Sequence, residues 1–226
     1  MPEVRLSIAD FCIDLINESA YPLAFEEGYS SFIVGLNDSN ADVKVVVRAE
    51  IPARLRELGK TIYSADFEGK PLWKIEKSEH GLRFHVFSPE APFELQQVAE
   101  LNTEMTTWTI YTEPRLVDGE NKLLPFLYPM GPLVMYYLTV KFDAIMIHGS
   151  GISDAGKGKI FTGVSGKGKT TMAKLWFEAG AKVLNDDRLI VRKIGSDYIS
   201  HNTPMFYEDS PRSAPLQSIF SIHHAS

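Results

Sequence analysis

The chain has 226 residues, 44% hydrophobic and 23% charged, with 13 Phe, 9 Tyr and 3 Trp. That composition can bury a core and excludes a wholly disordered chain, a collagen and a coiled coil. The net charge of −6, from 23 Lys+Arg and 29 Asp+Glu, argues against a general binder of nucleic acid or anionic membrane.

At about 150 residues per domain, the length suits one large domain or two small ones. The N-terminal stretch from Met1 lacks a basic segment followed by a long apolar one, so no signal peptide is expected. Cys12 is the single cysteine and has no internal disulfide partner, which fits a reducing cytoplasm. Val4, Leu6 and Ile8 alternate with polar residues, and Phe11, Ile13 and Leu15 repeat the pattern. Residues 32–34, 43–47, 73–75 and 84–87 are further short β-branched or aromatic runs. Turn residues punctuate them at 37–40, 68–71 and 79–81. Residues 1–115 therefore read as a β-rich domain, a mostly antiparallel sheet with one or two helices. His80 and His85 read as surface and strand residues, because no clustered ligand accompanies them.

A break follows at Glu113-Pro114, and a second at 118–122. The prolines at 129 and 132 precede an expected helix running to Phe142. The apolar runs at 133–140 and 144–147 fall short of the roughly 20 residues that span a bilayer. Beyond them the texture becomes α/β. Residues 145–148, 159–162, 183–184 and 189–191 read as strands. Met172, Leu175, Trp176 and Ala179 give a helical stripe over 170–179, with Gly180 as its C-terminal stop. The expected architecture is an α/β domain at 116–226 behind the β-rich (α+β) region.

The sequence Gly163-Val164-Ser165-Gly166-Lys167-Gly168-Lys169-Thr170 matches G-x-x-x-x-G-K-[ST] at every fixed position. A strand leads in and an amphipathic helix leads out, as a phosphate loop requires. Its glycines let backbone N–H groups turn around phosphate oxygens, and the helix N-terminus adds positive potential. Gly163, Ser165, Gly166, Lys167, Gly168, Lys169, Thr170 and Thr171 are the candidate nucleotide-binding residues. Lys169 would neutralise the β- and γ-phosphates, and the Thr170 hydroxyl would face Mg²⁺.

Asp186 and Asp187 follow 17 and 18 positions after Lys169. An extended backbone points them to opposite faces, which suits two separate jobs: one carboxylate for Mg²⁺ and one to accept a proton. His148 is placed by a hairpin about Asp154-Ala155-Gly156-Lys157, which sets residue 148 opposite residue 163. An imidazole there would orient an aspartate or bind a metal. Ser150, two residues on, faces the same side.

Taken together, Ile147-His148-Gly149-Ser150-Gly151, the loop at 163–171 and Leu184-Asn185-Asp186-Asp187 resemble the HPr kinase/phosphorylase and phosphoenolpyruvate carboxykinase superfamily. Asn202-Thr203-Pro204 and the stretch 213–220 are similar as well. The resemblance covers roughly 144–222. It implies a P-loop kinase core, ATP and Mg²⁺ as cofactors, and possible homo-oligomers. In the HPr kinase branch it implies Asp186 as the base that deprotonates an acceptor hydroxyl, His148 as that aspartate's partner, and Thr170 with Asp187 as magnesium ligands. In the carboxykinase branch the residue like His148 would ligate a transition metal instead. Both families extend well past the paired aspartates, so a chain ending at Ser226 is expected to be truncated. His223 and His224 read as an unstructured end.

The leading expectation is an ATP-dependent kinase that phosphorylates a serine-type hydroxyl on a protein or small molecule. The alternative is a non-catalytic nucleotide- or phosphate-binding module, and the third is a carboxykinase. The expected partners are a nucleotide and an unknown hydroxyl acceptor, with no nucleic acid and no membrane.

Overall fold

The computed structural model describes residues 3–37, 39–88, 94–204 and 212–223. The chain divides into two units, Met1–Leu6, Cys12–Glu26 and Val34–Met135, and Ser7–Phe11, Glu27–Ile33 and Tyr136–Ser226.

The N-terminal sheet has nine strands: β1 (Val4–Ile8), β2 (Phe11–Asn17), β3 (Ile33–Val34), β4 (Val43–Ala49), β5 (Thr61–Phe67), β6 (Lys70–Ser78), β7 (Gly81–Phe87), β8 (Leu95–Asn102) and β9 (Thr107–Thr112). Their order is β3-β1-β2-β4-β9-β8-β7-β6-β5. Strands β5 to β9 are antiparallel neighbours in sequence order, while β4 lies parallel to both β2 and β9. The β5–β6 turn needs left-handed backbone at Glu68 (φ 52°) and Gly69 (φ 76°), which the turn residues supply. Short helical pieces complete this region, a 3-10 turn at Glu27–Phe32 and α1 (Ala53–Arg56). A two-stranded ribbon follows, β10 (Arg115–Val117) with β11 (Glu120–Lys122), then α2 (Met130–Lys141).

The C-terminal sheet contains β12 (Ala144–Asp154), β13 (Lys157–Thr162), β14 (Lys182–Asn185), β15 (Arg188–Ile194), β16 (Asp197–Asn202) and β17 (Ser213–Ser221), with α3 (Lys169–Glu178) between β13 and β14. The order is β13-β17-β16-β15-β12-β14, and β13 also pairs with β12, so five strands close into a ring. Ile160, Leu184, Leu189, Val191 and Ala214 fill its interior. Phe161, next to Ile160, points outward to pack with Ile152, Ala173 and Ala181 beneath α3, the alternation of a pleated strand.

An α/β domain with a P-loop kinase core does not form. Strands hold 52% of the described residues and helices 15%, which makes a β-rich fold. The reason lies in the connections. Parallel strands need crossovers of a dozen or more residues, but β12–β13 and β15–β16 are joined by two-residue turns that force antiparallel pairing. Only β13 and β17 run parallel in this sheet. The helical stripe also shifts: Met172, Ala173 and Trp176 meet the sheet, whereas Leu175 is 54% exposed.

Among the described residues, no helix is long and apolar enough to cross a membrane. His224 lies outside the described residues, and His223 Nε2 sits 2.9 Å from Ser221 Oγ.

Candidate functional site

The β12–β13 hairpin sets the frame. Its pairs run from Asp154↔Lys157 to Gly149↔Thr162, the register its turn predicts, so the next step along puts His148 beside the start of the 163–168 loop. Gly163, Gly166 and Gly168 all have positive φ (152°, 79° and 97°), backbone that side chains rarely adopt. At Gly163 a Cβ would also stand 2.8 Å from the Ile222 carbonyl oxygen. Gly168 is the N-cap of α3 and offers no side-chain acceptor, so the first-turn N–H groups are not capped from there.

Lys169 is buried, and its Nζ donates to the Gly163 carbonyl at 3.0 Å and the Val164 carbonyl at 3.3 Å. No carboxylate pairs with it among the described residues. The ammonium is held against the loop backbone by these two carbonyls. Ser165, Gly166, Thr170 and Thr171 are exposed, and Lys167 is half-buried.

On its other side, β12 is lined by β14 and β15, which act as one long strand interrupted at Asp186-Asp187. Gly151 pairs with Asn185 and His148 with Arg188, so the interruption falls opposite Ser150 and Gly149. The Gly149 N–H donates to the Asp187 carbonyl across this gap. Asn185 shapes the turn. Its Oδ1 accepts from the N–H groups of Asp187 (2.8 Å) and Arg188 (3.1 Å), and its Nδ2 donates to the Thr203 carbonyl. Thr203 Oγ1 in turn donates to the Arg188 carbonyl at 2.9 Å.

The two aspartates take different partners. Fully buried Ser150 donates its hydroxyl to Asp186 Oδ1. Asp187 pairs with Arg188 through Oδ2, and its Oδ1 lies 3.3 Å from His148 Nδ1. His148 thus contacts Asp187, where the resemblance implies a partnership with Asp186. Its Nδ1 is also 2.9 Å from the Asp187 carbonyl oxygen. Because a carbonyl only accepts, this contact is a hydrogen bond when Nδ1 carries a proton.

A groove of about 870 Å³ opens between α3 and the β14 edge, with Thr170, Lys174, Phe177, Lys182, Asp186 and Arg212 among its walls. Thr170 therefore shares this space with Asp186; Asp187 is not part of its lining. The hydroxyl of Thr170 and the carboxylates of the Asp186-Asp187 turn are hard oxygen donors, the kind Mg²⁺ takes when substrate phosphates complete its shell. Among the described residues, no three His, Cys, Asp or Glu side chains cluster as a self-sufficient metal cage.

Sequence reasoning missed Asn185 and Thr203 as the supports of the aspartate turn, and Lys174, Lys182 and Arg212 as groove residues. An Asn before two aspartates is a turn-forming signal that was open to reading. The groove cations carry no local signature. No protein-family model and no curated protein matches the chain.

Proposed function

We propose that the chain is an ATP-dependent phosphotransferase of the HPr-kinase-like group, acting on a hydroxyl acceptor. The observation that carries this reading is the convergence of the glycine loop with its buried, unpaired Lys169 and an aspartate turn supported by Ser150 and Asn185. In the transfer, an acceptor O–H gives its proton to Asp186, whose other oxygen is steadied by Ser150. The acceptor oxygen forms a bond to the γ-phosphorus, the bond from that phosphorus to the β,γ-bridging oxygen breaks, and ADP leaves. Lys169 and the loop N–H groups hold the phosphates in line and balance their charge. Mg²⁺, held by Thr170 with a carboxylate of the Asp186-Asp187 turn, would supply further charge neutralisation on the phosphates.

Nucleotide binding and ATP turnover test the proposal together. Lys169→Ala should weaken ATP binding by about tenfold or more, a loss of one charge-assisted contact. Asp186→Asn should keep that binding and lower transfer by about a hundredfold or more. Unchanged ATP affinity in the lysine variant would sink the reading. One observation favours a binding module without transfer: both Asp187 oxygens are already engaged by Arg188 and His148. ATP binding with no turnover in the unaltered chain would select that second reading.

A further inference from the structure

The groove beside the loop has a chemistry of its own. Among the described residues, its walls carry the cations Lys174 of α3, Lys182 of β14 and Arg212 before β17, and the carboxylate of Asp186. Lys174 and Lys182 are exposed and make no ion pair among the described residues. Arg212 donates through Nη1 to the Val183 carbonyl, which fixes the guanidinium at the groove wall. Phe177, 62% exposed, adds an apolar surface. A chain with six more acidic than basic residues has thus gathered three cations in one concavity. Among the described lining residues, that reverses the overall sign of the chain.

We infer that this groove binds the phosphate acceptor, and that the acceptor is a small hydroxylated anion carrying a carboxylate or phosphomonoester group. The inference rests on the phosphotransferase reading for the identity of the transferred group, but the anion site stands on the groove's own residues. Volume favours a small molecule: about 870 Å³ lies within the 300–1,000 Å³ range of small-ligand pockets. Charge favours an anion, because Lys174 and Lys182 would be drawn to a negative group far more than to a neutral alcohol. Polarity within the groove sets the orientation. The anionic end lies toward the lysines and Arg212, and the hydroxyl lies toward Asp186 and Thr170, where the γ-phosphate would arrive. Phe177 covers the carbon skeleton between them.

The test is calorimetric titration of the full chain loaded with a non-hydrolysable ATP analogue and Mg²⁺, so that the glycine loop is already filled. The probes are glycerate and glycerol 3-phosphate, with glycerol as the uncharged control. The expected result is binding of at least one anion about tenfold or more tighter than glycerol. Lys174→Ala with Lys182→Ala should weaken that binding by about tenfold while the analogue's affinity stays within about twofold. Both lysines are exposed, so the double variant is expected to fold, and its thermal midpoint checks this. Equal binding of anions and glycerol, no effect of the double variant, or no anion binding at high millimolar concentration overturns the inference. Transfer to a serine-bearing protein without anion binding overturns it too. If the analogue itself fails to bind, the phosphotransferase reading falls, and the same titration on the unloaded chain decides the anion site separately.

Discussion

At the residue scale, the site is set by atoms too small or too few to intrude. Gly151 on β12 packs so closely against the ring interior that an added Cβ would lie 2.3 Å from Leu189 Cδ2. Leu189 is itself fully buried and has little room to give. Gly151→Ala should therefore destabilise the chain by about 1–3 kcal/mol, read as a lower urea midpoint with an unchanged slope. Gly149 is under the same constraint, with the Phe161 carbonyl oxygen 2.7 Å from its would-be Cβ. The two glycines that flank Ser150 are thus packing residues. The glycines of the loop were legible in the sequence, because the backbone curvature at 163–168 demands them. The partner of His148 was not. A one-residue step between Asp186 and Asp187 decides which carboxylate meets the imidazole, and side-chain direction at an interrupted strand cannot be read from spacing alone.

At the element scale, the aspartate turn is an insertion held open by one amide. Asn185 is buried and fills three hydrogen-bonding roles toward the described residues. Asn185→Ala should cost about 1–3 kcal/mol through the polar groups it leaves unpaired, and it should lower ATP turnover more than ATP binding. Stability by chemical denaturation together with the two activities checks both halves. In the N-terminal sheet, Arg83 on β7 joins Glu76 on β6 and Glu100 on β8, its cross-strand neighbours on either side. The Glu76 side chain is only 4% exposed. Arg83→Ala should lower stability by about 2 kcal/mol by leaving that carboxylate short of its cation, an effect that Glu76→Gln in the same chain should partly relieve. The strands with strong alternation were legible from the sequence. β5, β8 and β9 were not, because Thr61–Phe67 is mostly exposed and the latter two mix polar with apolar residues on both faces. For α3, periodicity marked the helix correctly, yet it chose Leu175 for the inner face. The sheet surface takes Ala173 instead, since a small residue lets the helix approach.

At the scale of the whole molecule, two buried histidines link stability to pH. Burial holds the pKa of His85 and of His201 below the ordinary histidine value, more than their nearby acids raise it. His85 donates from Nε2 to the Leu55 carbonyl at 2.8 Å, which fits a neutral ring. Above the ordinary value of about 6.5, folded and unfolded chains both carry these rings neutral, and the pair adds no pH dependence. As pH falls through that value the unfolded chain takes up protons first, so stability drops and continues to drop until the folded rings also titrate. Urea midpoints measured from pH 7.5 down to 5 should show this decline, and His85→Asn should flatten part of it. By itself the sequence determined the glycine-rich loop, the paired aspartates and the β-rich first half, because those depend on local backbone demands and on alternation. Tertiary structure decided that the second half is a closed, largely antiparallel ring rather than an α/β sheet, since two-residue turns leave no length for crossovers. It alone decided that Lys174, Lys182 and Arg212 share one groove with Asp186, because residues up to 38 positions apart are brought together only when the strands pair.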